Sequence, residues 1–273
     1  MSTFAVNVDG FWERGFDIVR NVFSLDEIEA LREMAMESRE HPGDLLSNES
    51  LSHIVTDPKI LEIARSILGA DPVYFGFSSA SFGVKGRGYH KDNADRHNPE
   101  APDWQGRYTL IRMGIYLQDH SEHSGGLNLR EGSHHQFSLK KGRTVYADTS
   151  LGDVVVWSLR TSHSANGVLL KFPKGLHISP RMGTRTPDFL LRQNDGERLA
   201  LFLTYAVDDA HLERYIQYLK TRTFMVEMWR RSPLNEEIRQ RSAASRMKLR
   251  EPWLELKNEE NLGQNEGHAD IPF

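Results

Sequence analysis

Between Val73 and Val207 the chain breaks into short β-prone runs, each closed by Gly, Asp, Asn or Ser. "VYFGFSSASF", "YTLIRMGIYLQD", "GGLNLREGSHH", "TVYADTS", "GDVVVWSL" and, after a gap, "ERLALFLTYAV" follow in that order. Short strands punctuated in this way build a sandwich or barrel rather than alternating βα units. Gly76, inside the first run, predicts a bulge there. Two helices come before these strands. "FSLDEIEALREMAMES" sets Ser24 and Glu27 in the capping-box relation, with Ile28, Leu31 and Met34 at helical spacing. "DPKILEIARSILGAD" offers Asp57 as cap, Pro58 at the first helical position and Gly69 at the stop. From Asp208 onward the pattern returns to helix, in "DDAHLERYIQYLKTRTFMVEMWRR" and a charged tail. The expected architecture is mainly β with flanking α-helices. A single domain over 1–273 is expected, with a helical part to residue 70, a β core over about 71–207 and a helical extension over 208–273.

Composition narrows the chemistry. A net charge of -4 over 273 residues argues against a general nucleic-acid binder, which carries a basic footprint. The chain has no cysteine, so thiolate metal sites, iron–sulfur clusters and cysteine nucleophiles are excluded, and a metal must be held by nitrogen and oxygen. The N-terminal residues lack a basic stretch followed by an apolar one, and no apolar run is long enough to span a bilayer. A cytoplasmic enzyme with no nucleic-acid or membrane partner is expected.

"YHKD" puts His90 and Asp92 two residues apart, on one face if the segment is extended. Further on, "GDVVVWSLRTSHSANG" is a run of apolar residues that leads into a polar turn holding His163. Two imidazoles and one carboxylate form the facial triad of non-haem Fe(II) oxygenases, which leaves three metal positions open. His90, Asp92 and His163 are the candidates. Arg198 opens the last apolar strand, and its planar fork suits the distal carboxylate of 2-oxoglutarate.

Each assignment has a plainer alternative. His90 and Asp92 are also readable as a surface pair, His163 as a turn histidine, and Arg198 as the partner of Glu197. His97, His120, His123, His134 and His135 suggest a second metal site but lie in turn-rich text, where solvated polar residues are expected. Trp104, Tyr108 and Arg112 are candidates for the substrate pocket or for core. Ser78 and Ser81 are candidates to face the cosubstrate. Lys171, Lys174, Arg181, Arg185 and Arg192, with Lys85 and Arg87 before the HxD pair, outnumber Asp188 and Asp195. Such a concentration at the mouth of a site favours an anionic substrate.

With "FWERGFDIVRNVFSLDEIEALR", "YHKD", "RMGIYLQDHSEHSGGLNLREGSHH", "GDVVVWSLRTSHSANG" and "RLALFLTY" in this order, the chain resembles the phytanoyl-CoA dioxygenase family of Fe(II)- and 2-oxoglutarate-dependent oxygenases over Gly10 to Val207. The resemblance implies a double-stranded β-helix, or jelly roll, with His90, Asp92 and His163 on iron and Arg198 on 2-oxoglutarate. It further implies O2 as cosubstrate, release of succinate and CO2, and hydroxylation of an unactivated C–H bond in a small molecule. Asp92 disfavours halogenation, because halogenating relatives carry a small residue there. The chain departs from the pattern in one respect. In typical members the carboxylate-binding Arg follows the second His closely, whereas here an insert of about 168–197 intervenes and makes Arg181, Arg185 and Arg192 rivals. So long a connection reads as an active-site lid. Two other readings stay open: an iron oxygenase independent of 2-oxoglutarate, and a jelly-roll binding module without catalysis. The C-terminal helices are the expected surface for a homodimer.

Overall fold

The structure, a computed structural model, describes residues 4–83, 88–192, 197–256 and 271. Helix α1 (Val8–Arg14) ends at Gly15, which takes the left-handed conformation with φ 89°. A Cβ there would lie 2.4 Å from His134 Nδ1 and 2.7 Å from Thr161 Oγ1, so this close approach needs glycine on two counts. The chain turns directly into strand β1 (Phe16–Val19). Helices α2 (Leu25–Glu37), α3 (Ser52–Val55) and α4 (Pro58–Leu68) follow. Both predicted helices form with their predicted ends: the Ser24–Glu27 capping box closes α2, and Asp57, Pro58 and Gly69 bound α4. The expectation that only helices precede the strands is corrected by β1. "FDIV" is too short to display a period, and an available edge in the sheet makes it a strand.

The β core comprises β2 (Val73–Tyr74), β3 (Ser78–Phe82), β4 (Leu110–Tyr116), β5 (Asn128–Glu131), β6 (Arg143–Tyr146), β7 (Val154–Ser158) and β8 (His163–Ser164). The hairpin β9 (Val168–Leu169) and β10 (His177–Ile178) then leads to a short helix, α5 (Pro180–Gly183). Strand β11 (Leu199–Ala206) closes the core, followed by α6 (Ala210–Lys220), α7 (Thr223–Arg230), α8 (Glu236–Ala244) and a last strand, β12 (Lys248–Leu249). The larger sheet runs β1-β7-β4-β11-β2-β12, with β3 also on β11, and only the β12–β2 pair is parallel. The smaller sheet runs β6-β5-β8. Together they make the expected jelly roll. Gly76, at φ 73°, separates β2 from β3, and their pairing with β11 slips by two residues across it, which is the predicted interruption.

The larger sheet is buried on both faces, which is why its strands read as continuous apolar runs. Alternation assigns the faces. Val154 and Val156, with Ile111, Met113, Ile115, Leu199, Leu201 and Leu203, pack against α2 and α4. Val155 and Trp157, with Tyr116 and Ala200, face inward against Leu127 and Leu129 of the smaller sheet's side. Helices α6 and α7 cover the end of the sheet through Tyr215, Ile216, Met225 and Trp229.

Candidate active site

His90 and His163 face one another directly across neighbouring extended segments. His90 N donates to His163 O at 3.1 Å and His163 N to His90 O at 3.0 Å, and the ring centroids are 4.3 Å apart. Asp92 is placed by the end of β7, since its amide donates to Leu159 O at 2.9 Å. The three side chains offer ligand atoms that all lie within 4.8 Å of one another. His90 Nε2 stands 3.6 Å from Asp92 Oδ1, and His163 Nε2 stands 3.4 Å from Asp92 Oδ2.

Tautomer follows from the backbone. His90 Nδ1 lies 2.9 Å from Gly88 O and His163 Nδ1 lies 2.9 Å from Thr161 O. A carbonyl only accepts, so both Nδ1 atoms donate, which turns both Nε2 atoms to the space beside Asp92, where a metal would take their lone pairs. Burial by itself would push the Asp92 carboxyl up, but the positive charge that His163, His90 and Arg112 can carry beside it holds it well below the usual carboxylate range. Two imidazole lone pairs and one ionised carboxylate are the donor set that suits Fe(II) with open positions. The residues present therefore fit the metal that the sequence implies.

The triad opens on a cavity of about 200 Å³ lined by Ser81, Arg112, Leu127, Trp157, Ala165 and Phe202. Arg112 Nη1 lies 3.6 Å from Asp92 Oδ2, and its guanidinium sits between the Phe77 and Phe202 rings, 4.6 and 5.2 Å from their centroids. Ser81 lines the cavity as expected, but the expectation for Ser78 is corrected. It lies on the opposite face of β3, where its hydroxyl and amide both donate to Asp44 Oδ2 at 2.7 Å. Three positions along a strand reverse the face, so both serines cannot serve one site.

Arg198 is 3% exposed. Its Nε donates to Gly125 O at 2.8 Å and its Nη1 approaches Gly83 O at 3.5 Å, while Nη2 is buried with no hydrogen-bond partner. Glu197, the alternative partner, instead forms a bidentate pair with Arg39 at 2.7 Å. Of the rivals, Arg192 is paired with Glu122 at 2.5 Å, and Arg181 and Arg185 are exposed. An unpaired buried donor just before strand β11 fits an acceptor-only carboxylate.

Other expected groupings separate. His134 bonds Trp12 O at 2.9 Å, and His120 bonds His123 O at 3.1 Å; among the described residues only His90, Asp92 and His163 form a metal-sized cluster. Trp104 packs on Phe137 and Tyr108 belongs to the core beneath α6, so neither lines the cavity. In the insert, Lys174 and Arg192 both pair with Glu122, and His177 stacks on Tyr146 with centroids 4.6 Å apart. Lys85, Arg87 and Asp195 lie outside the described residues. Trp157, Leu127, Ala165 and Phe202 were not singled out from the sequence. Trp157 and Phe202 were reachable by counting alternate positions along β7 and β11.

No family model matches the chain. Over 163 residues it is 29% identical to the ectoine dioxygenase of Bordetella parapertussis, a match covering 51% of this chain and 52% of that protein. The ectoine dioxygenase of Bordetella bronchiseptica matches to the same extent. Both curated relatives are dioxygenases, in keeping with the resemblance read from the sequence. The chain spans about half the length of the curated relatives it matches. Among solved structures, EctD from S. alaskensis with 2-oxoglutarate and 5-hydroxyectoine superposes with a TM-score of 0.51 at 18% identity, over 73% of this chain and 74% of EctD. The α-ketoglutarate-dependent carbocyclase SnoK from nogalamycin biosynthesis gives 0.52 at 19% identity, over 76% and 89%. At these identities the likeness speaks for the fold. No helix among the described residues is long and apolar enough to cross a membrane.

Proposed function

We propose that this protein is an Fe(II)- and 2-oxoglutarate-dependent dioxygenase that hydroxylates an unactivated C–H bond of a small molecule. One observation carries the reading: two imidazole Nε2 atoms and a carboxylate converge on a cavity at one end of a jelly roll, and a buried Arg with an unpaired donor stands at the start of the strand that carries the cavity residue Phe202. The reaction balances as substrate, 2-oxoglutarate and O2 giving hydroxylated substrate, succinate and CO2. Iron held by His90, Asp92 and His163 would supply the oxygen chemistry. The chain's own part is placement. Thr161 O and Gly88 O fix the two imidazoles, Arg112 steadies Asp92, Arg198 receives the distal carboxylate of 2-oxoglutarate, and Leu127, Trp157 and Phe202 keep water from the reacting end.

The substrate in this reading is anionic. Arg112 supports it more directly than the insert does: its guanidinium borders the cavity, and its nearest charged partner, Asp92, would be occupied by iron. Among the insert cations, Lys171, Arg181 and Arg185 are exposed. Self-association through the C-terminal helices belongs to the same proposal, supported by the exposed Phe224 and Leu254.

The test is anaerobic visible absorption of metal-free protein on adding Fe(II) and then 2-oxoglutarate, in wild type and in Arg198→Ala. A weak band that needs both additions, and far more 2-oxoglutarate in the variant, is the expected result. No band in folded, iron-loaded wild type would reject 2-oxoglutarate as cosubstrate, and no iron binding would reject an iron enzyme.

A further inference from the structure

Tyr116 and Arg198 are diagonal neighbours on the inner face of the larger sheet. Tyr116 pairs with Ala200 across β4 and β11, and Arg198 stands two residues before Ala200, on the same face. The Arg198 Cζ lies 5.3 Å from the centroid of the Tyr116 ring. Both side chains are buried and interact with each other, and beyond that contact neither Arg198 Nη2 nor the Tyr116 hydroxyl proton has an acceptor at full hydrogen-bond distance. A buried polar hydrogen without a good partner is costly. Both costs vanish if one acceptor-only group sits between them.

We propose that Tyr116 is the second donor to the distal carboxylate of the 2-oxo acid, beside Arg198. The inference rests on the 2-oxoglutarate reading above and deepens it. The phenol stays a donor at neutral pH, because burial pushes Tyr116 up by more than Arg198 pulls it down. The Tyr116 ring meets Phe202 edge-on with centroids 6.2 Å apart, and Phe202 lines the cavity that holds the triad, so the pair lies further along the same wall. His120, whose ring is 5.0 Å from that of Tyr116, is not a third donor. Its Nδ1 proton goes to His123 O at 3.1 Å, which leaves Nε2 a lone pair that a carboxylate would repel.

The experiment compares two ligands of equal chain length. Iron-loaded protein is titrated anaerobically in a calorimeter with 2-oxoglutarate and with 2-oxopentanoate, which lacks the distal carboxylate. Tyr116→Phe keeps the ring and its packing. It should weaken 2-oxoglutarate by about tenfold or more, the size expected for a lost hydrogen bond to a charged acceptor, and leave 2-oxopentanoate unchanged. Equal binding of 2-oxoglutarate by variant and wild type would overturn the proposal. So would equal weakening of both ligands, which would make Tyr116 a packing residue. A wild type that binds both ligands alike would instead reject the cosubstrate reading, and this inference with it, before any variant is measured.

Discussion

At the scale of single residues, the face on which a side chain lies decides its role. Ser78 and Ser81 are the same residue type three positions apart, yet one is fastened to a buried carboxylate and the other borders the cavity. Asp44 accepts from Ser78 N, Ser78 Oγ, Leu46 N and Tyr74 Oη, and no cation is among these partners. Ser78→Ala removes one donor from that buried oxygen and should cost about 1–3 kcal/mol. Ser81→Ala should stay within about 0.5 kcal/mol. Urea unfolding of the two variants checks both, and similar losses would reject the assignment of faces. The three proposed metal ligands were legible residue by residue, because HxD and a later strand-borne His are a local pattern. The fate of the serines was not, since it depends on which face of β3 the helices cover.

At the scale of elements, the metal site is assembled by pieces distant in sequence. Gly15, at the junction of α1 and β1, accepts from Ser158 N at 3.0 Å and from Thr161 Oγ1 at 2.7 Å. Thr161 in turn fixes the His163 ring through its carbonyl. Gly15→Ala would place a methyl against His134 and Thr161 in a left-handed backbone, and should cost more than about 2 kcal/mol. It should also weaken Fe(II) binding by loosening His163. Thermal unfolding and an Fe(II) titration of the variant test the two halves, and an unchanged iron affinity would detach Gly15 from the site. Helices α2 and α4 could be read with their ends because caps are local chemistry. Strands β1 and β12 could not, because two to four residues become a strand only when a neighbour offers its edge.

At the scale of the whole molecule, burial of histidines couples stability to pH. Burial is the main cause that lowers His120 and His134 from about 6.5 to about 4. Between those values the unfolded chain takes up protons that the folded chain refuses, so stability falls as pH falls through this window. Above about pH 6.5 both states hold neutral rings and the contribution is constant. The loss should amount to roughly 1–3 kcal/mol per histidine by pH 4. Urea unfolding at pH 7, 6 and 5 should show the slope, and His134→Gln should flatten its share. A variant as pH-dependent as the wild type would refute the role given to His134.

Local chemistry is readable along the chain: capped helices, apolar strands ended by turn residues, and a donor set of two imidazoles and a carboxylate in a set order. The absence of cysteine already required that a metal be held by nitrogen and oxygen. It took the packed fold to show that Arg198, rather than Arg181, Arg185 or Arg192, keeps a buried donor unpaired, and that Arg112 stands beside Asp92. Only it set Tyr116 next to Arg198. Those outcomes depend on strand register and on which faces are covered, and register comes from pairing between segments about ninety residues apart.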